Sequence, residues 1–218
     1  MAMTRNTKDT TRSDALEAGL LTGAIAAALV VYAALYGEAA WSFAQAESRY
    51  RAVAAGKPVT IVELDALTQA LRASPARHDL SRAALVQILA AEQTGVSSLR
   101  AISRLSAARR DLRLGVSATP TDAAAWTHLA MTELRLGHRQ SAAAALAVAY
   151  RLKLTEPTLA ATQFDLALAL WPQLTVDAKA ALERRLNWAR DYAARNNLVE
   201  ARSAAALRRV LASERGDP

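Results

Sequence analysis

The side chains best suited to hold a metal or carry a proton near neutral pH are three histidines, His78, His128 and His138. Their spacing offers neither task a frame. His128 and His138 stand ten positions apart, so no i, i+4 pair forms and no H-E-x-x-H is present. His78 follows Pro75 in a stretch that reads as a loop. Cysteine is absent, which removes thiolate ligands, thiol nucleophiles and disulfides. No G-x-S-x-G elbow, P-loop or G-x-G-x-x-G occurs. Among the carboxylates, Glu63 and Asp65 sit at one helix start, where they complement its dipole. Glu183 beside Arg184 and Arg185, and Asp191 beside Arg190 and Arg195, read as surface ion pairs. The sequence therefore predicts no catalytic residue, no metal site and no cofactor, and turns the search toward recognition.

Arginine is the first candidate for recognition. Net charge is +7, yet the first seventeen residues carry three basic and three acidic side chains and sum to zero. The excess lies further on, in Arg109, Arg110 and Arg113, and in Arg184 and Arg185. As a basic surface these five would meet anionic lipid headgroups or an acidic polysaccharide. As solvated helix faces in an Arg-rich chain they would meet only water.

The elements that position these residues begin with an uncharged run of twenty, Ala18 to Gly37. At about 1.5 Å per residue it makes a helix of roughly 30 Å, the thickness of a hydrocarbon core. Tyr32, Tyr36, Trp41 and Phe43 gather near its end, where aromatic rings suit the headgroup zone. The reading is a single transmembrane helix over 18–37, after a cytoplasmic tail over 1–17. The N-terminal arm carries Arg5, Lys8 and Arg12, of which Lys8 and Arg12 lie closer to the run than Arg49, Arg51 and Lys57 on the far flank, which places the N-terminus inside. The domain is then outside, in the periplasm of a bacterium, and nucleic acid is not an expected partner. Ala44-Gln45-Ala46 has the form of a signal-peptide cleavage site, but the apolar run is longer than a signal core, which favours an uncleaved anchor. Gly19, Gly23 and Ala27 share one helix face and offer a close contact for a homodimer.

Beyond the anchor, Ala-rich composition with only 5% aromatic residues predicts an all-α domain. Residues 38–58 read as a juxtamembrane helix and a linker broken at Gly56-Lys57-Pro58, and residues 59–213 as the domain, with a tail over 214–218. Thr60 and Glu63 form a capping box for a helix ending before Pro75. Ser81 caps a helix to Glu92. Ser97 starts another, stopped at Gly115. Further helices are expected over 122–136, 139–153, 157–171, 176–195 and 198–212. Connections of a few residues make successive helices antiparallel neighbours.

One pair of these helices resembles a tetratricopeptide repeat. In AWTHLAMTELRLGHRQSAAAALAVAYRL, the family's pattern is met by Trp126, Leu129, Ala130, Gly137, Ala142, Leu146 and Ala149. The closing proline comes late, at Pro157. A single repeat cannot bury its apolar face, so neighbouring hairpins must stack on it. The resemblance implies a groove lined by first helices that binds extended peptides or partner helices. Its candidate lining here is Thr127, His128, Met131, Leu134 and Arg135.

The order ATPTDAAAWTHLAMTEL, TLAATQFDLALALWPQL, RRLNWA is also similar to membrane-anchored helical proteins of proteobacteria associated with exopolysaccharide synthesis and export. Together the resemblances imply a non-enzymatic, inner-membrane scaffold for an envelope protein. Direct binding of acidic polysaccharide or lipid, and assembly of secreted proteins or cytochromes, are the alternatives.

Overall fold

The computed structural model describes residue 31 and residues 44–215, apart from 54, 75, 77–78, 96–97, 153–156 and 197–201. The expected cytoplasmic tail, the expected transmembrane helix apart from Val31 (Gly19, Gly23 and Ala27 with it), the first part of the expected juxtamembrane segment, His78 and the last residues of the expected C-terminal tail lie outside them. Among the described residues no helix is long and apolar enough to cross a membrane. Contacts divide the chain into two units, Met1–Ser48 and Arg49–Pro218, and the second carries the architecture described here.

That unit is helical throughout its described residues: α1 (Ile61–Ala73), α2 (Asp79–Gln93), α3 (Leu99–Ala118), α4 (Ala123–Arg135), α5 (Arg139–Leu152), α6 (Pro157–Ala169), a 3-10 turn (Trp171–Gln173), α7 (Val176–Arg195) and α8 (Arg202–Arg215). Caps set several starts. Thr60 Oγ1 accepts from the Glu63 amide while the Glu63 carboxylate accepts from the Thr60 amide, the reciprocal box expected. Asp122 takes two amides, those of Ala124 and Ala125, at 3.0 Å each. The end of α4 is a Schellman motif: Gly137 at φ +83 lets the His138 amide reach the Glu133 carbonyl at 2.8 Å and its own amide reach Leu134 at 3.0 Å.

Several helix boundaries differ from those expected: α3 is capped by Ser98 and not Ser97, α6 ends at Ala169 and not 171, and α8 runs to Arg215 and not 212. Ser81 does not cap α2, which begins at Asp79; Ser81 is buried inside it. Gly115 does not stop α3, which continues to Ala118 and is capped at Thr119. The two residues explain each other. A Cβ on Gly115 would lie 2.6 Å from Ser81 Oγ, so this glycine lets α3 cross close over α2.

The helices pair as hairpins. α2 packs most extensively on α3, and α4 on α5. Ala130, Ala142, Leu146 and Ala149 are fully buried, and Leu129 nearly so; small residues bring the α4 and α5 backbones together. α1 and α3 run side by side in one direction across α2. Asp65 meets Arg104, and two turns later Arg72 meets Asp111 at 2.8 Å, with the charges exchanged between helices. Gln87 of α2 joins the second pair at 3.0 Å. Past α5 the simple order breaks: α7 packs chiefly on α5, and α8 returns to pair with α6.

Contacts between helix ends show strict up-and-down alternation. Gln93 Nε2 donates to the Val59 carbonyl at 3.1 Å, Arg135 pairs with Glu92, and Arg139 donates to the Ala169 carbonyl. Glu214 accepts from Trp171 Nε1 at 2.7 Å and from Lys179 at 2.8 Å. The starts of α1, α3, α5 and α7 therefore share one end of this unit with the finishes of α2, α4, α6 and α8.

Candidate functional site

α4 is the helix that places most of the expected recognition residues, and it is enclosed. No residue from Ala123 to Leu136 is fully exposed. Four of its partly exposed residues, Ala124, His128, Met131 and Arg135, form a stripe at the i, i+4, i+7, i+11 spacing of a helix face, while Trp126, Leu134 and Leu136 are partly exposed off it. Three of the five expected groove residues share it.

Thr127 turns inward. Thr127 is fully buried; its hydroxyl donates to the Ala123 carbonyl at 2.8 Å and accepts from Gln163 Nε2 of α6 at 2.8 Å. It joins helices and presents nothing to a partner. Leu134 stands beside the stripe and, like Met131, is partly exposed while packing against the core. The same polar seam continues with Tyr150, whose hydroxyl donates to the Gln163 carbonyl at 2.8 Å; burial pushes the phenol pKa well up, so it stays a donor.

Within the stripe, burial holds His128 below the usual imidazole range, against the pull of Asp122. The imidazole is neutral at neutral pH. Met131 packs partly on the core and offers an adaptable thioether. Arg135 binds Glu92 through Nη2, while its Nη1 is buried without a hydrogen-bond partner. An open apolar cleft of about 440 Å³ lies beside this pair, lined by Val53, Pro58, Val59, Leu64, Leu89 and Glu92 among others. Sequence reading did not find it, because it forms only when the segment after Gly56 folds against α1 and α2.

The expected basic surface is only partly a surface. Glu133 is buried, and Arg113 donates to it at 2.8 Å, with Arg109 at 3.8 Å and His138 Nδ1 at 2.7 Å. A chain cannot leave a carboxylate at such a position without compensation, so two of the α3 arginines are committed to it. Arg110 is exposed. Arg184 is exposed too, whereas Arg185 is fully buried, its guanidinium 5.1 Å from the Trp188 ring centre. Arg185 shares the buried stripe of Ala178, Ala181, Leu182 and Leu186, a spacing legible in the sequence but overruled there by its charge. Asp191 and Arg190 do form an exposed pair at 3.4 Å.

No family model, curated protein or solved structure matches this chain.

Proposed function

We propose that this protein is a non-enzymatic, membrane-anchored helical-repeat scaffold that binds an envelope protein through the open stripe of α4. The observation that carries the reading is the stripe itself. His128, Met131 and Arg135 line up on a side of α4 that its neighbours leave partly uncovered along three turns. That side combines a neutral imidazole, a thioether and a guanidinium held by Glu92, which suits a peptide or helix bearing apolar side chains and one carboxylate that can compete for the guanidinium. Support for the repeat comes from the stacked α2/α3 and α4/α5 hairpins and from the burial of Leu129, Ala130, Ala142, Leu146 and Ala149 among the residues matching the tetratricopeptide pattern. Support for the anchor comes from the uncharged run Ala18 to Gly37. A periplasmic setting and a place in polysaccharide synthesis or export belong to the same proposal.

Direct binding of an acidic polymer by the arginine clusters is the weaker reading, since Arg109 and Arg113 already serve Glu133 and Arg185 is interior.

The test is the native size of the protein in detergent-solubilised membranes. The scaffold reading expects a large assembly that Met131→Asp dissolves and Arg184→Glu leaves intact. An assembly indifferent to Met131→Asp, or a chain that migrates alone, would overturn it.

A further inference from the structure

The exposed large aliphatic residues of the helical unit are unevenly distributed. Val62 (77% exposed) and Leu99 (85%) stand in the first turns of α1 and α3, with Ile102 next to Leu99. Leu168 is in the last turn of α6, and Val176 (83%) opens α7. By the up-and-down alternation, these five lie at one end of the unit. Leu114 and Leu152, near the finishes of α3 and α5, lie at the other.

The chain enters the unit at the five-residue end. Residues 44–53 are helical, Gly56 at φ +73 closes that helix, and the backbone then passes Val59 into the Thr60 cap. Arg49 is close enough to Glu63 for its charge to act on that carboxylate, so it too belongs here. Lys57, Arg100 and Arg139 are exposed at the same end. Most acids there are engaged within the protein: Glu63 in the capping box, Glu92 with Arg135, Glu214 with Lys179 and Trp171. Asp177 opens α7.

We infer that this end is a lipid-contacting face, with Leu99, Val62 and Val176 entering the headgroup boundary of an anionic membrane and Arg49, Lys57 and Arg100 gripping its phosphates. Exposed aliphatic side chains that share one end of a domain with exposed cations are the chemistry of a protein surface resting on anionic lipid. The inference rests on the membrane reading above, which supplies the occupant: the span-length run precedes Val59 by about two dozen residues, so a bilayer is within reach of this end. It adds that the domain lies down on that bilayer by a defined face, which orients α4 and its stripe relative to it.

The absence of native cysteine makes the test direct. The full chain is reconstituted into vesicles of phosphatidylcholine and phosphatidylglycerol in equal parts. A polarity-sensitive fluorophore is placed by Leu99→Cys, Val176→Cys, Leu114→Cys or Ala27→Cys, and quenched by iodide from water or by nitroxide-bearing lipid. The expected result is strong lipid quenching with several-fold weaker iodide quenching at positions 99 and 176, and the reverse at 114. Lys57→Glu combined with Arg100→Glu should return position 99 to iodide. Iodide quenching at 99 and 176 equal to that at 114 would overturn the inference, as would shielding from both quenchers, which means a protein covers the face. Position 27 reports the anchor separately. Lipid quenching at 27 with 99 in water sinks this inference and keeps the anchor; the opposite pattern sinks the anchor and keeps the face.

Discussion

Arg135 and Glu92 join the last turns of α4 and α2 through a side-chain ion pair, Nη2 to Oε1, at the edge of the open stripe. Glu92 thereby occupies the guanidinium that a partner carboxylate would use. Glu92→Gln should leave stability within about 1 kcal/mol, because both groups are partly exposed. It should strengthen partner assembly, while Arg135→Glu abolishes it. Urea midpoints and the native size of the complex read the two effects apart.

Glu133 is the carboxylate whose removal costs most. It is buried under Arg113, Arg109 and His138, so Glu133→Ala strands cationic groups beside an apolar gap. A loss of about 2–3 kcal/mol is expected, below the full value for a buried pair because the arginines are partly in water. Arg113→Ala in the Glu133→Ala background should add little further loss, a non-additivity that denaturant titration detects.

Gly115 and Ser81 should show coupling that changes sign. Gly115→Ala alone forces its new methyl against Ser81 Oγ, 2.6 Å away, and should destabilise by about 1–2 kcal/mol despite the better helix propensity of alanine. With Ser81→Ala the obstructing oxygen is gone. The same Gly115→Ala should then stabilise by up to about 1 kcal/mol. Additive effects would mean that α2 and α3 do not cross at this point.

His128 gives a pH signature. Burial lowers its pKa from the ordinary 6.5, so the folded state favours the neutral ring. The contribution is complete above the unfolded value and is lost as pH falls from about 6.5 through the folded pKa. Asp65, held down by Arg104, and Glu214, held down by Lys179 and Trp171, also favour the folded state at neutral pH. Their contributions fade only in the carboxylate range, below about 4.5. His128→Gln should therefore flatten the upper part of the stability profile and leave the lower part unchanged, as thermal melts at stepped pH would show.

Local signals made much of the helix order legible in the sequence. Thr60 with Glu63, Asp122 and Gly137 are caps whose partners lie within a few residues, and α7 begins and ends where its pattern predicts. Gly115 and Ser81 were misleading because each is a punctuation residue whose meaning here depends on a different helix. The candidate stripe was legible by spacing at His128, Met131 and Arg135. Thr127 was not separable from them, because only Gln163, thirty-six positions away, turns it inward. The return of α8 onto α6, the commitment of Arg109 and Arg113 to Glu133, and the gathering of Leu99 and Val176 at one end all require the packed arrangement. No window of sequence contains them.

The central claim is that α4 presents a partner site, and photo-crosslinking in intact cells addresses it most directly. A photoreactive residue is placed at position 124, on the stripe but outside its proposed contacts, and, as a control, at exposed position 184. The account predicts one defined envelope protein captured from 124, absent from 184, and lost when Met131→Asp is added. Capture of glycan or lipid chiefly from 184, with no protein from 124, would contradict it and move recognition to the basic surface.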